Sequence, residues 1–200
     1  MHALIYGDEP YQKKQAIDYL REKIKNMGYS DRDIIEISKG TDLGLLQNTA
    51  NQFSLFSKKR AIEVYFSETQ FKKNISESLI QLVNYNAPDL FILFIFNKPS
   101  ANTLKSDWFI KLQKNATESI KTYPLNPLQL KNWIQKQTQA LKIKLLKKHH
   151  ALLIEKTQGN LLLTAQILDK LALICPQQTI QDHVFSSVLY ENPQFSLFDL

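Results

Sequence analysis

Five short apolar runs separated by amphipathic stretches predict an α/β fold with a largely parallel sheet for residues 1–124, and a loss of strand patterning predicts a small helical bundle for residues 125–200. Three observations carry this reading. The runs at 3–6, 34–37, 61–66, 90–96 and 119–123 are β-branched or aromatic and are bounded by polar or turn residues. Between them, apolar residues recur at steps of three and four. After the breaker cluster Pro124-Leu125-Asn126-Pro127, only the helical period remains.

The first run meets Gly7, and Pro10 then suits a helix start, where its missing N–H has no intrahelical partner to lose. Ile17, Leu20, Ile24 and Met27 form the stripe of that helix. Asp42 is an N-cap for a second stripe of Leu43, Leu46 and Ala50; Leu79, Leu82 and Val83 mark a third, and Trp108, Phe109 and Leu112 a fourth. Strand and helix in alternation imply right-handed crossovers and helices on both faces of the sheet. The run Leu-Phe-Ile-Leu-Phe-Ile-Phe at 90–96, apolar without alternation, belongs at the covered centre. In the second part, Leu130, Trp133, Ile134 and Leu141 mark one helix, and Leu152, Leu153 and Ile154 another that ends before Gly159. Leu161, Ala165, Leu168 and Ala172 make a third, stopped by Pro176, and a fourth runs from about Ile180 to Tyr190 after Thr179.

Composition narrows the functional classes. Lys and Arg number 25 against 19 Asp and Glu, a formal charge of +6, and 44% of the 200 residues are apolar, enough for a packed core. Five Gly and seven Pro are too few for a collagen-like or linker-rich chain. The lone cysteine, Cys175, excludes an internal disulfide and a Cys-x-x-Cys metal or redox site, and reads as a small buried apolar residue. No run approaches the roughly 18 apolar residues of a membrane span, and the N-terminus lacks the pattern of a secretion signal. A reducing, cytoplasmic setting is the expectation.

A strand entering Gly7 and then a helix invites comparison with the phosphate-binding loop GxxxxGK[ST], in which glycines let backbone N–H groups wrap phosphates and a hydroxyl holds Mg²⁺. Here Gln12 stands at the second glycine and Lys14 at the Ser/Thr; only Lys13 matches. Pro10 removes a donor, and Asp8 and Glu9 bring negative charge where polyphosphate would sit. Nucleotide hydrolysis is not expected, nor any nucleotide cofactor. His2, His149, His150 and His183 have no metal-ligand spacing, and the adjacent pair 149–150 reads as an exposed helix face. Asp31 and Asp33 read as a solvated connection. No nucleophile elbow or Cys-His signature is present. No catalytic residue is assigned.

Basic clusters remain at Lys13-Lys14, Lys58-Lys59-Arg60, Lys72-Lys73, and Lys142 through Lys148. Solvated helix faces are their bland reading; a DNA-binding module using those faces is the alternative. The cluster at 58–60 follows Gln52-Phe53-Ser54-Leu55-Phe56-Ser57 at a corner before a strand. Leu55 and Phe56 either tuck into the sheet or, if exposed, form an apolar plug with a basic rim, the anatomy of a protein-binding hot spot.

The opening Ala-Leu-Ile-Tyr-Gly-Asp-Glu-Pro at 3–10, the corner from Ser54 to Arg60, Asn97-Lys98 with Trp108-Phe109, the run Gly-Asn-Leu-Leu-Leu-Thr-Ala-Gln at 159–166 and the closing Phe195 to Leu200 occur together in order. The ordered set resembles the delta subunit of the bacterial DNA polymerase III clamp loader. That resemblance implies an AAA+/RecA-like domain at 1–124 without a working phosphate loop, a helical lid at 125–200, and a third, collar domain that this chain is expected to lack. It implies membership of a nucleotidyltransferase complex, with no ATPase activity in this chain. The expected partners are the sliding clamp (beta subunit), other loader subunits through the collar, and primed DNA within the complex. The clamp contact maps onto Leu55 and Phe56, with Gln52, Phe53, Lys58, Lys59 and Arg60 around them, which favours the plug over the core reading. Gln194 to Phe198 repeats the five residue types of the corner, and its expected role is packing.

Overall fold

The computed structural model of the protein describes residues 1–38, 59–67, 76, 79–80 and 88–190. Five parallel strands form its sheet: β1 (His2–Gly7), β2 (Asp31–Ile37), β3 (Arg60–Phe66), β4 (Leu90–Phe96) and β5 (Glu118–Thr122), in the order β2-β3-β4-β1-β5. The described helices are α1 (Pro10–Asn26), α2 (Ala101–Lys105), α3 (Asp107–Lys114), α4 (Pro127–Ala140), α5 (Lys147–Thr157), α6 (Leu161–Ile174) and α7 (Asp182–Tyr190). The chain divides into two compact units, Met1–Tyr123 and Pro124–Leu200.

β4 occupies the centre, and all seven of its side chains are buried because each face of the sheet carries a helical cover. Its alternation sorts them. Ile92, Phe94 and Phe96 join Leu4, Tyr6, Val64 and Phe66 in a core closed by Phe109 and Leu112 of α3. Phe91, Leu93 and Ile95 join Ala3 and Ile5 in a second core closed by Ala16, Ile17, Leu20 and Ile24 of α1. In the first core the Phe66 and Phe96 rings stack at 4.3 Å, and Phe109 meets Tyr6 edge-on at 5.4 Å. The period-two strand and the period-3.6 helix therefore share one apolar surface, as the sequence predicts.

β2 begins earlier than its apolar run. Asp31 and Asp33, expected in a solvated connection, lie in the strand, because an edge strand with one wet face tolerates charge at alternate positions. The helical stretch expected after Asp42, with Leu43, Leu46 and Ala50, lies outside the described residues, as do Leu82 and Val83; Leu79 is helical and fully buried.

In the second unit, α4 opens with a capping box: the Asn126 side chain accepts from Gln129 N at 2.9 Å, and the Gln129 side chain accepts from Asn126 N at 3.0 Å. α6 is capped by Asn160. Leu130, Ile134, Ile143, Leu153, Leu161, Leu168 and Phe185 are buried. His149 corrects the expectation of an exposed histidine face, being 3% exposed. Its ring stacks on Phe185 at 4.2 Å, Nδ1 lies 3.4 Å from Leu146 N, and Nε2 lies 2.8 Å from an Asp182 carboxylate oxygen, so it ties α5 to α7. Cys175 is half-buried at the C-cap of α6 and is not a core residue.

α4 ends in a turn that normally asks for glycine. Ile143 N bonds Thr138 O at 3.0 Å and Lys142 N bonds Gln139 O at 3.1 Å, the paired bonds of a Schellman ending, with Lys142 in the left-handed region at φ 57°. A side chain there costs about 1 kcal/mol or more. Lys142→Gly should accordingly raise stability by about 0.5–1 kcal/mol, seen as a higher urea midpoint at unchanged slope.

Candidate functional site

In an open parallel sheet, a ligand crevice forms beyond the carboxyl ends of two neighbouring strands whose outgoing connections run to opposite faces. β1 and β4 meet this condition: α1 follows β1 onto one face, while α2 and α3 follow β4 toward the other. A cleft of about 610 Å³ lies there, with Gly7, Lys13, Arg21, Tyr65, Asn97 and Lys98 among its walls.

The loop between β1 and α1 is pressed against β5. Gly7 has φ 141°, and a Cβ built on it would sit 2.0 Å from the Thr122 carbonyl oxygen. Glu9 N donates to that same oxygen at 2.9 Å. Glu9, 8% exposed, then turns its carboxylate onto the start of its own helix, accepting from Tyr11 N at 3.3 Å and Gln12 N at 2.5 Å. The free N–H groups and positive dipole end of a helix are what a phosphate would use. Here a built-in carboxylate uses them, and Gln12, in place of a glycine, spans to the Tyr123 carbonyl at 3.2 Å.

The cations around the cleft are likewise engaged. Lys13 Nζ donates to Asn97 Oδ1 at 3.1 Å; burial lowers its pKa, with Asp8 opposing the shift. Lys14 pairs with Asp18 at 2.7 Å and Lys98 with Asp8 at 2.9 Å. The sequence reading identified the missing glycine and hydroxyl at this loop. It missed the partners Asn97 and Tyr123, which only the sheet brings near, and Asp18, which lies one helical turn from Lys14.

Beneath the cleft, the Glu63 side chain of β3 is 2% exposed and holds Arg21 of α1 by two bonds, to Nε at 2.7 Å and Nη2 at 2.8 Å. Tyr65 OH donates to it at 3.0 Å, and Arg32 Nη1 approaches to 3.4 Å. Burial pushes the Glu63 carboxyl up, but the bonds and charge of Arg21, with Tyr65 and Arg32, hold it below its ordinary value of 4.5.

At the opposite, amino end of β3 stands the root of the predicted clamp corner. Gln52, Phe53, Leu55, Phe56 and Lys58 lie outside the described residues, as does the repeat at Gln194 to Phe198. Lys59 is half-buried: its ammonium donates to Met27 O at 3.1 Å, past the end of α1, and sits over the Tyr29 ring at 5.1 Å. Arg60, expected on a basic rim, is instead a strand residue 8% exposed, bonded through Nη1 to Asp33 Oδ2 at 3.3 Å. Pairing of β3 with β4 from its first residue draws it inside, with its own N–H on Asp89 O. Among the described residues no group of three or more His, Cys, Asp or Glu is placed to hold a metal, and no helix is long and apolar enough to cross a membrane.

A family model described as DNA polymerase III, delta subunit, matches residues 4–119. The DNA polymerase III subunit delta of Escherichia coli is 24% identical over 173 residues, 86% of this chain and 50% of that one. The subunit delta of Haemophilus influenzae is 21% identical over 197 residues, 98% and 57% of the two chains. The chain thus spans about half the length of the curated relatives it matches. Among solved structures, a Bacillus subtilis DNA clamp loader delta protein superposes with a TM-score of 0.63 at 14% identity, covering 89% of this chain and 55% of that one. A Thermotoga maritima RuvB Holliday junction branch migration motor superposes at 0.53 with 10% identity, over 95% and 61%. The shared architecture is the AAA+-like α/β fold.

Gly7→Ala should destabilise the chain by about 2–4 kcal/mol in urea unfolding, because the added methyl meets backbone and not a movable side chain. Glu63→Gln should cost roughly 2–3 kcal/mol, the lower range for a broken buried pair, since the Arg21 and Arg32 side chains are 33% and 44% exposed and water screens them. The folded carboxyl titrates below the unfolded one, so its contribution is whole above about pH 4.5 and is lost as pH falls through the folded value. Thermal melts across that range should show a shallower acid loss for Glu63→Gln than for the parent chain.

Proposed function

Because the chain belongs to the DNA polymerase III delta-subunit family, we propose that it serves clamp loading by contact, gripping the ring-shaped sliding clamp and favouring its opened form, and that it does so without hydrolysing nucleotide. The observation that carries this is the Glu9 carboxylate at the N-terminus of α1. A fold of the ATPase type whose phosphate position is taken by its own side chain has a scaffold to offer, and no fuel site.

The gripping element in this proposal is Leu55 and Phe56 at the corner before β3, flanked by Gln52 and Phe53. Two apolar side chains buried in a pocket of the clamp contribute on the order of 1.5–3 kcal/mol each. Opening the ring needs more than affinity: a ligand shifts a closed-to-open equilibrium only by its preference for one state, so the wedge must fit the parted interface better than the closed one. Lys58 is the cation left to guide encounter, because Lys59 and Arg60 are committed to the protein's own α1 end and β2. Their part is to hold the root of the corner. The proposal extends to a two-domain division at 124, with the helical unit as a lid, to the other loader subunits and primed DNA as partners in the assembled complex, and to a cytoplasmic setting.

The test is capture of purified sliding clamp by the parent chain and by Leu55→Ala/Phe56→Ala, with circular dichroism to establish that both are folded. The double variant should lose capture by roughly a hundredfold or more, about 3 kcal/mol. Undiminished capture by a folded double variant would sink the assignment.

A further inference from the structure

We propose that the solvent face of α4, with the turn that leads into α5, is a contact surface for the phosphate backbone of duplex nucleic acid. The reading is independent of the clamp-binding corner, which lies in the other unit.

The charge pattern comes first. Residues 124–154 carry six lysines, Lys131, Lys136, Lys142, Lys144, Lys147 and Lys148, and not one Asp or Glu, while all 19 carboxylates of the chain fall in the other 169 residues. A solvated helix face ordinarily intersperses both signs to limit self-repulsion. This stretch does not, although the unit resumes acidic residues at Glu155, Asp169 and Asp182.

The fold then gathers the pattern onto one surface. All six lysines are exposed, and among the described residues only Lys148 is paired with a carboxylate, that of Asp182. On α4 the buried residues Leu130, Ile134 and Thr138 take one side. The other side presents Lys131 and Lys136 with Asn132, Gln135 and Gln139, cations interleaved with neutral amide donors, both of which bond phosphate oxygens without regard to base sequence. Lys131 is near enough to the start of α5 for its charge to act on His150.

The turn is held rigidly, so little order is lost when it binds. Ile143 is buried beneath it, Lys144 N donates to Gln178 O at 3.1 Å, and Ile180 N donates to Lys144 O at 2.9 Å. Lys142 stands in the left-handed position where glycine or asparagine is the usual choice.

Phosphate fits this surface better than an acidic protein does. A protein interface is organised around a buried aromatic or arginine anchor. The large exposed apolar residues here are two leucines, Leu128 at the start of α4 and Leu146 before α5, and no aromatic is among them.

The probe is a fluorescein-labelled DNA duplex of random sequence, titrated with the chain by anisotropy over a series of KCl concentrations. The parent chain should bind with a log–log salt slope of several units, each lysine contact on duplex DNA supplying about 0.9. Lys142→Gln/Lys144→Gln/Lys147→Gln should lower that slope by about 2–3, and Lys131→Gln/Lys136→Gln by about 1–2, with unchanged melting temperatures. The control Lys105→Gln/Lys111→Gln/Lys114→Gln removes three exposed charges from the first unit and should leave the slope as it is. Equal losses from the control triple would reduce the effect to net charge and overturn the proposal. So would absence of duplex binding, or stronger binding of poly-glutamate than of duplex, which would reassign the surface to an acidic protein. Capture of clamp by the lysine variants should not change, so failure here and failure of the clamp-gripping reading are told apart.

Discussion

The contact between Gly7 and the Thr122 carbonyl sets the arrangement of the first unit. β1 and β5 are in register with those two residues opposite, and the chain leaves β1 so close to β5 that no side chain fits between them. With the backbone pinned there, the next residues have one short path into α1, and Glu9 is carried to the place from which its carboxylate reaches the helix start. A position that in a nucleotide-binding loop is left open for an external anion is satisfied internally. The helix start in this loop is thus filled by a cap with its own bonds, where the motif residues are also missing.

The same region shows how charge is used inside this protein. Glu63 is buried in β3 and surrounded by Arg21, Arg32 and Tyr65, so that α1, β2 and β3 share one carboxylate. Such an assembly adds little net stability over a well-packed apolar cluster, since desolvation offsets most of the attraction. What it contributes is register: α1 must lie where Arg21 meets Glu63 with both nitrogens, and apolar packing alone would tolerate a small slide. Arg60 and Lys59 act the same way at the other end of β3, tying it to β2 and to the end of α1. Lys59 and Arg60, which look like a solvent-facing rim in the linear sequence, are internal ties of the fold.

The helical unit distributes charge in the opposite manner. Its one buried imidazole, His149, is engaged on both nitrogens, by Leu146 N–H and the Asp182 carboxylate. Six of its lysines stay outside on α4, the following turn and the start of α5, in a stretch of sequence that holds no carboxylate. The two units therefore differ in what their cations do: most of those described around the cleft and at the root of β3 serve the fold, while those on the α4 surface are left available.

Strand positions, the central place of β4 and the helix stripes of α1, α3 and the four helices of the second unit were legible in the sequence, because periodicity reports which side chains leave water and composition reports which segments are long enough to span a layer. The defect in the phosphate loop was legible too, since it is a matter of which residues stand at fixed spacing. Tertiary structure alone decided the fate of individual polar groups. His149, Arg60 and Lys59 look alike in a linear reading, as polar residues in basic stretches; one is stacked in a core, one lies in a strand and one caps a helix end. Each outcome depends on a partner 27 to 33 positions away, as with Asp33 and Arg60, Met27 and Lys59, or His149 and Asp182. Local pattern cannot encode which distant carboxylate or carbonyl a charge will find; that is settled when strands and helices close on one another and water is removed from between them.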